Sequence, residues 1–171
     1  MQRRKAVSTL AAGFGALFTL PSWATNWQVE QLPSSHYLSF ERTATLAEIV
    51  ETIIPQTDTP GAKVLGVDKL IQRIVKDCYD KPAQEQFTRG IDLVNELAQK
   101  ANSKPFAECN TEQRLSILSA MGKSEDAAQK RFYNMARQMT IKGYTNSEYF
   151  MTNISHFEFA PGRYHGCVPV K

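Results

Sequence analysis

From Thr45 to Ile154, apolar residues recur at intervals of three and four, and no segment alternates apolar with polar residues long enough to make a strand. That periodicity limits the chain to packed helices, because an apolar stripe on one helix face is stable only against another apolar surface. The expected fold is all-α: a compact bundle of about five to six short helices, with an extended N-terminal arm and a C-terminal tail.

The individual helices follow from stripes and stop signals. Thr45-x-x-Glu48 has the form of a capping box, and Leu46, Ile49, Val50, Ile53 and Ile54 then share a face until Pro55 ends the helix. Gln56 to Ala62 is a loop of turn formers. A second helix is predicted from Val67 to Tyr79, with Val67, Leu70, Ile71, Ile74, Val75 and Cys78 inward and Lys69, Gln72, Arg73, Lys76 and Asp77 outward. A third runs from Pro82 to Ala101 on Phe87, Ile91, Val94, Leu97 and Ala98, with Gly90 placed to allow a close helix crossing. Asn110 and Gln113 form a cap and box for a short helix through Leu115, Leu118 and Met121. Ser124 is the expected cap of a helix from Glu125 to Lys142, buried along Ala128, Phe132, Met135, Ala136 and Met139 and closed by a left-handed Gly143. Thr145-x-x-Glu148 has the form of a last box, before Tyr149, Phe150 and Ile154.

The chain opens Met1-Gln2-Arg3-Arg4-Lys5, continues uncharged from Ala6 to Leu20, and then reads Pro21-Ser22-Trp23-Ala24. This is the order of an export signal, with cleavage expected after Ala24. The uncharged stretch falls short of the roughly 20 apolar residues of a membrane span. The pair Arg3-Arg4 points to the twin-arginine route, although Ala6 and Val7 stand where Phe and Leu usually follow, so the ordinary secretory route stays open. Three parts are expected: a twin-arginine-type signal over 1–24, an extended arm over 25–44, and a helical domain with an aromatic tail over 45–171.

Charge narrows the partners. The leader holds three of the 20 basic residues and none of the 17 acids, so removing 24 of 171 residues leaves 147 with 17 charges of each sign. Such a balance gives no strong attraction to nucleic acid. The two ends carry large aromatic groups without periodic structure to bury them: Trp27, Tyr37 and Phe40 in the arm, Phe157, Phe159 and Tyr164 in the tail, the last beside Pro161 and Arg163. Groups of that kind anchor interfaces, and these eight residues are the candidate partner-binding set. Wrapping around the chain's own core is the other use for them.

Motifs for chemistry are scarce. The sequence holds no glycine-rich phosphate loop, dinucleotide fingerprint, CxxC or GxSxG. His156, His165 and Cys167 form the one constellation with ligand chemistry for zinc or copper, and it lacks a fourth member. Cys109, just before a helix cap, is the one candidate nucleophile. An oxidising compartment permits a disulfide between two of Cys78, Cys109 and Cys167, and the sequence leaves the pairing open.

Several blocks stand in a familiar order: Leu46 to Pro55 with Thr57-Asp58-Thr59-Pro60-Gly61-Ala62, then Val67 to Tyr79, Phe87 to Leu97, Gly143-Tyr144-Thr145-Asn146-Ser147-Glu148, and Pro161-Gly162-Arg163-Tyr164-His165-Gly166-Cys167. In these the chain resembles the gluconate 2-dehydrogenase subunit 3 family, the small (gamma) subunits of membrane-bound, flavin-dependent sugar and polyol dehydrogenases. The resemblance implies a large catalytic partner of the glucose–methanol–choline type that carries FAD, with a cytochrome c subunit often taking the electrons. It implies a small subunit without cofactor or catalytic residues, acting as a folding and export companion that meets the twin-arginine translocase. The alternative is a free-standing periplasmic binding or metal-handling protein that uses the His156–Cys167 tail.

Overall fold

The computed structural model describes residues 37–158, and over that range the chain is helical. The elements are α1 (Phe40–Ile53), α2 (Val67–Cys78), α3 (Lys81–Asn102), a 3-10 turn (Phe106–Glu108), α4 (Thr111–Lys123), α5 (Ala127–Thr145) and a π-helical turn (Phe150–Ile154). No strand occurs among the described residues, in accord with the all-α expectation. The leader with Arg3, Arg4 and Ala24, the arm residue Trp27, and the tail residues Phe159, Pro161, Arg163, Tyr164, His165 and Cys167 lie outside the described residues.

Helix α1 is the hub: it packs against α2, α3, α4, α5 and the 3-10 turn. Leu46, Ile49 and Val50 on its inner face are fully buried against Val67, Ile71, Val75, Phe87, Ile91, Val94, Phe106, Met121, Phe132 and Ala136. Each such aliphatic side chain stabilises the fold by about 1.5–3 kcal/mol relative to exposure. The expected stripes are therefore the core. The crossing at Gly90 is also present: a Cβ there would collide with the Phe132 ring, so the absent side chain lets α5 close onto α3. The Asn110–Gln113 box forms with both reciprocal bonds, at 2.8 and 3.1 Å.

Other local readings are corrected. Helix α1 begins at Phe40, capped by Ser39, so residues 40–44 of the expected arm are helical. Thr45 is no cap: its hydroxyl donates to the Glu41 carbonyl one turn back (2.9 Å) and accepts from Asn95 Nδ2 (3.0 Å). A Thr-x-x-Glu pattern reads the same at a helix start and inside one, and here the tertiary partner decided. Asp126, not Ser124, caps α5 by accepting from the Ala128 N–H. Gly143 lies inside α5 against Val67 rather than past its end. Thr145 closes that helix with a bond to the Ile141 carbonyl, while Ser147 accepts from the Phe150 N–H. On α2, Gln72 is buried and Cys78 and Leu70 are exposed; on α4, Leu115 faces out and Ile117 takes its place inside; Ala128 is exposed. These exchanges shift a stripe by a fraction of a turn, which periodicity alone does not register.

Candidate functional site

Two of the blocks that carried the resemblance, Leu46–Ala62 and Gly143–Glu148, meet at one corner. Where Pro55 stops α1, the chain turns through residues 56–66 to reach α2, and the turn is held from three sides. Glu51, one helical turn before Pro55, accepts from the backbone N–H of Gln56 (2.9 Å) and of Lys63 (3.1 Å). A carboxylate receiving two backbone donors is a strong local clamp. Gly61 fits beneath it because a Cβ there would stand 2.5 Å from both Glu51 carboxylate oxygens. From α5, the Tyr144 hydroxyl donates to the Pro60 carbonyl at 3.1 Å. The Gly143–Glu148 block thus holds the Thr57–Ala62 block across 84 positions of sequence. Tyr144 in turn meets Phe150 edge to face, with ring centroids 6.0 Å apart.

The third side is ionic. Glu48 pairs with Lys63 Nζ (2.6 Å) and with the Arg114 guanidinium. Arg114 is largely buried and also donates to the carbonyls of Phe106 (3.2 Å) and Ala107 (2.7 Å), so it links α1, the 3-10 turn and α4. Asn95 repeats the device on α3, joining Thr45 to the Phe106 N–H at 3.2 Å. Asp68, in the first turn of α2, is buried, and burial raises its pKa above the ordinary carboxylate value despite bonds from the backbone N–H of Lys69 and of Asp68 itself. Sequence reading missed Glu51, Arg114, Asn95 and Asp68 as a set. The usable signal for Glu51 was an acid four residues before a helix-ending proline and a loop of turn formers.

The candidate partner-binding residues fall in different settings. Tyr37 is half-buried on α3, where its hydroxyl donates to the Gln84 carbonyl at 3.0 Å. Its neighbour Leu38 is core. Phe40 projects outward with 89% of its surface exposed, and Phe157 is 54% exposed. His156 is exposed, with a left-handed φ of 49°. Among the described residues, Cys78 and Cys109 are free thiols. Cys109 is buried, donating to the Pro105 carbonyl (3.5 Å) and accepting from Asn102 Nδ2 (3.8 Å), the setting of a small core residue rather than of an accessible nucleophile. Among the described residues, no three His, Cys, Asp or Glu side chains group as a metal site, and no helix is long and apolar enough to cross a membrane.

Fold and locked corner together define an all-α bundle built around a clamped proline loop. The sequence model of the gluconate 2-dehydrogenase subunit 3 family matches residues 41–162, and the chain belongs to that family. Its membership makes it an accessory subunit of a gluconate dehydrogenase-type oxidoreductase complex. No curated protein and no solved structure matches the chain.

Proposed function

We propose that this chain is the non-catalytic small subunit of an exported, FAD-dependent dehydrogenase acting on CH–OH donors, and that it binds the large flavoprotein subunit and supports its folding and export. The observation that carries the reading is the family match over residues 41–162, in a chain whose Thr57–Ala62 and Gly143–Glu148 blocks are joined by the Tyr144–Pro60 bond. Glu51, Glu48, Arg114 and Tyr144 are each engaged in holding the chain's own backbone or side chains. That use suits a scaffold that presents a fixed surface to a partner. FAD belongs to the large subunit in this reading, electrons leave through a cytochrome c subunit, and the complex works in the periplasm.

The twin arginine gives the reading its export half. A translocase that accepts folded cargo can carry a flavoprotein already loaded with FAD when a small subunit bound to it supplies the signal. Two measurements test this. Co-expressed with the large subunit, the chain should purify as a flavin-containing complex; recovery of both proteins as separate species would overturn the subunit assignment. Replacing Arg3 and Arg4 with lysine should leave the flavoprotein in the cytoplasm, and its undiminished arrival in the periplasm would remove the carrier role.

A further inference from the structure

Between the N-terminal halves of α3 and α5 lies an open trough of about 490 Å³ that no described residue fills. Its floor is the ring pair Phe87–Phe132, buried, with centroids 5.6 Å apart and planes tilted by 51°. Gly90 sets its depth: without a Cβ on α3, the Phe132 ring sinks into the helix surface. Leu93 and Met135 form half-buried walls, with Ala83 and Ala127 beside them. The volume falls within the roughly 300–1,000 Å³ of ligand-sized clefts.

The rim is cationic. Arg89 on α3 and Arg131 on α5 are both exposed, and neither makes an ion pair or hydrogen bond among the described residues. This sets them apart from Arg42, which pairs with Asp92 at 2.8 Å, and from Arg114 and Lys63, which pair with Glu48. The one acid lining the trough, Asp126, is bound to the Ala128 N–H at 2.9 Å as the cap of α5. The start of α5 opens on the same trough, and its free N–H groups add partial positive charge there. An occupant therefore needs an apolar body and at least one carboxylate. Two unpaired guanidiniums suit a carboxylate-bearing segment, since each presents a planar fork that binds such a group at two points. The open side suits a stretch of polypeptide laid along the trough better than a small molecule, which a cleft normally encloses over most of its surface.

We infer that this trough is a docking groove for an acidic, amphipathic segment of the large dehydrogenase subunit. The inference rests on the accessory-subunit reading and adds to it a location and a partner chemistry. An apolar anchor enters over Phe87 and Phe132, and carboxylates flanking it pair with Arg89 and Arg131. An apolar anchor inside a charged rim is the arrangement in which a few central residues dominate affinity while the rim governs the rate of encounter.

The test uses the full chain co-expressed with its flavoprotein subunit. Leu93→Glu places a charge on the apolar wall at a half-exposed site and should weaken the complex about tenfold or more, with helicity and Tm held near wild type. Arg89→Glu with Arg131→Glu should slow association about tenfold at low salt and flatten its salt dependence. The same double reversal at the exposed Lys100 and Lys104 should change neither, and an equal effect there would reduce the trough to general electrostatics. A photo-crosslinking residue at Met135 should label a carboxylate-containing peptide of the flavin-bearing subunit. Crosslinks to a second copy of this chain, or groove variants that bind as wild type does, would overturn the docking groove while leaving the subunit assignment standing. Failure of the wild-type pair to associate would remove both.

Discussion

At the loop between α1 and α2, Glu48, Glu51, Lys63 and Arg114 are all bound within the chain, and among the loop's charged residues only Asp58 faces solvent without a partner among the described residues. Glu51 holds two backbone donors, and Glu48 holds Lys63 and Arg114. At the trough between α3 and α5, Arg89 and Arg131 stand beside half-buried apolar walls with no such partner among the described residues. Both regions draw on α5, and both depend on a glycine for a close approach, Gly61 under Glu51 and Gly90 under Phe132. The difference lies in the polar groups. A satisfied network fixes its own loop and has nothing left for a ligand, whereas unpaired cations around an apolar depression leave both a charge and a surface to be matched.

The comparison can be broken by mutation. The largest effect is expected where the trough's floor is part of the core. Gly90→Val forces the Phe132 ring out of its seat and should cost about 3 kcal/mol by overpacking, read as a lowered urea midpoint. A variant as stable as wild type would mean that α3 and α5 can part without loss. At the locked corner, Arg114→Met keeps the side-chain volume and leaves Glu48 with Lys63 alone, while the Ala107 carbonyl loses the guanidinium donor and the Phe106 carbonyl keeps only the Cys109 N–H. A loss of about 2 kcal/mol is expected, below the range for a fully buried pair because both groups keep some solvent contact. An unchanged urea midpoint would make the ionic side of the corner ornamental. Glu51→Ala should cost about 1 kcal/mol, since the N–H groups it frees lie near solvent, and should raise amide exchange at Gln56 and Lys63 over their wild-type rates while leaving α1 and α2 unchanged. Wild-type exchange rates at both amides would show that the clamp does not set the loop.

The smallest effect is in pH. Burial raises the folded-state pKa of Asp68, so the folded protein binds that proton more tightly than the unfolded chain does. The burial penalty is therefore complete above the raised pKa. It is relieved as pH falls through that pKa toward the ordinary carboxylate value of about 3.9. Asp68→Asn removes the titration, and its Tm should change less steeply with pH than wild type over that acidic window. Parallel Tm curves for the two proteins would mean that the Asp68 carboxyl is solvated after all.

Helix number, helix type and most of the core were legible in the sequence. They rest on local rules: apolar spacing for Ile49, Ile71, Phe87, Ile91 and Phe132, the proline that ends α1, and the Asn110–Gln113 box. Gly90 was legible as a crossing because a glycine in mid-helix has little other use there. Less of the candidate site could be read. Arg114 and Glu48 are 66 positions apart and Tyr144 and Pro60 are 84 apart, and no spacing rule joins residues across such distances. The trough is a further step removed, since its cationic rim is defined by pairs that are not made, and Arg89 and Arg131 look in sequence like any solvated helix face.

The sequence by itself determined which segments become helices and which of their faces turn inward, because both follow from the 3.6-residue period and from caps and stops acting over one or two turns. Only the tertiary structure decided which polar side chains are engaged inside the molecule and which stay free. Thr45 and Gln72 turned inward, Cys78 and Leu115 turned outward, and Glu51 became a clamp while Arg89 found no partner among the described residues. The physical reason is that a polar group's partner is selected by packing between helices distant in sequence, and that packing exists only once the bundle has closed.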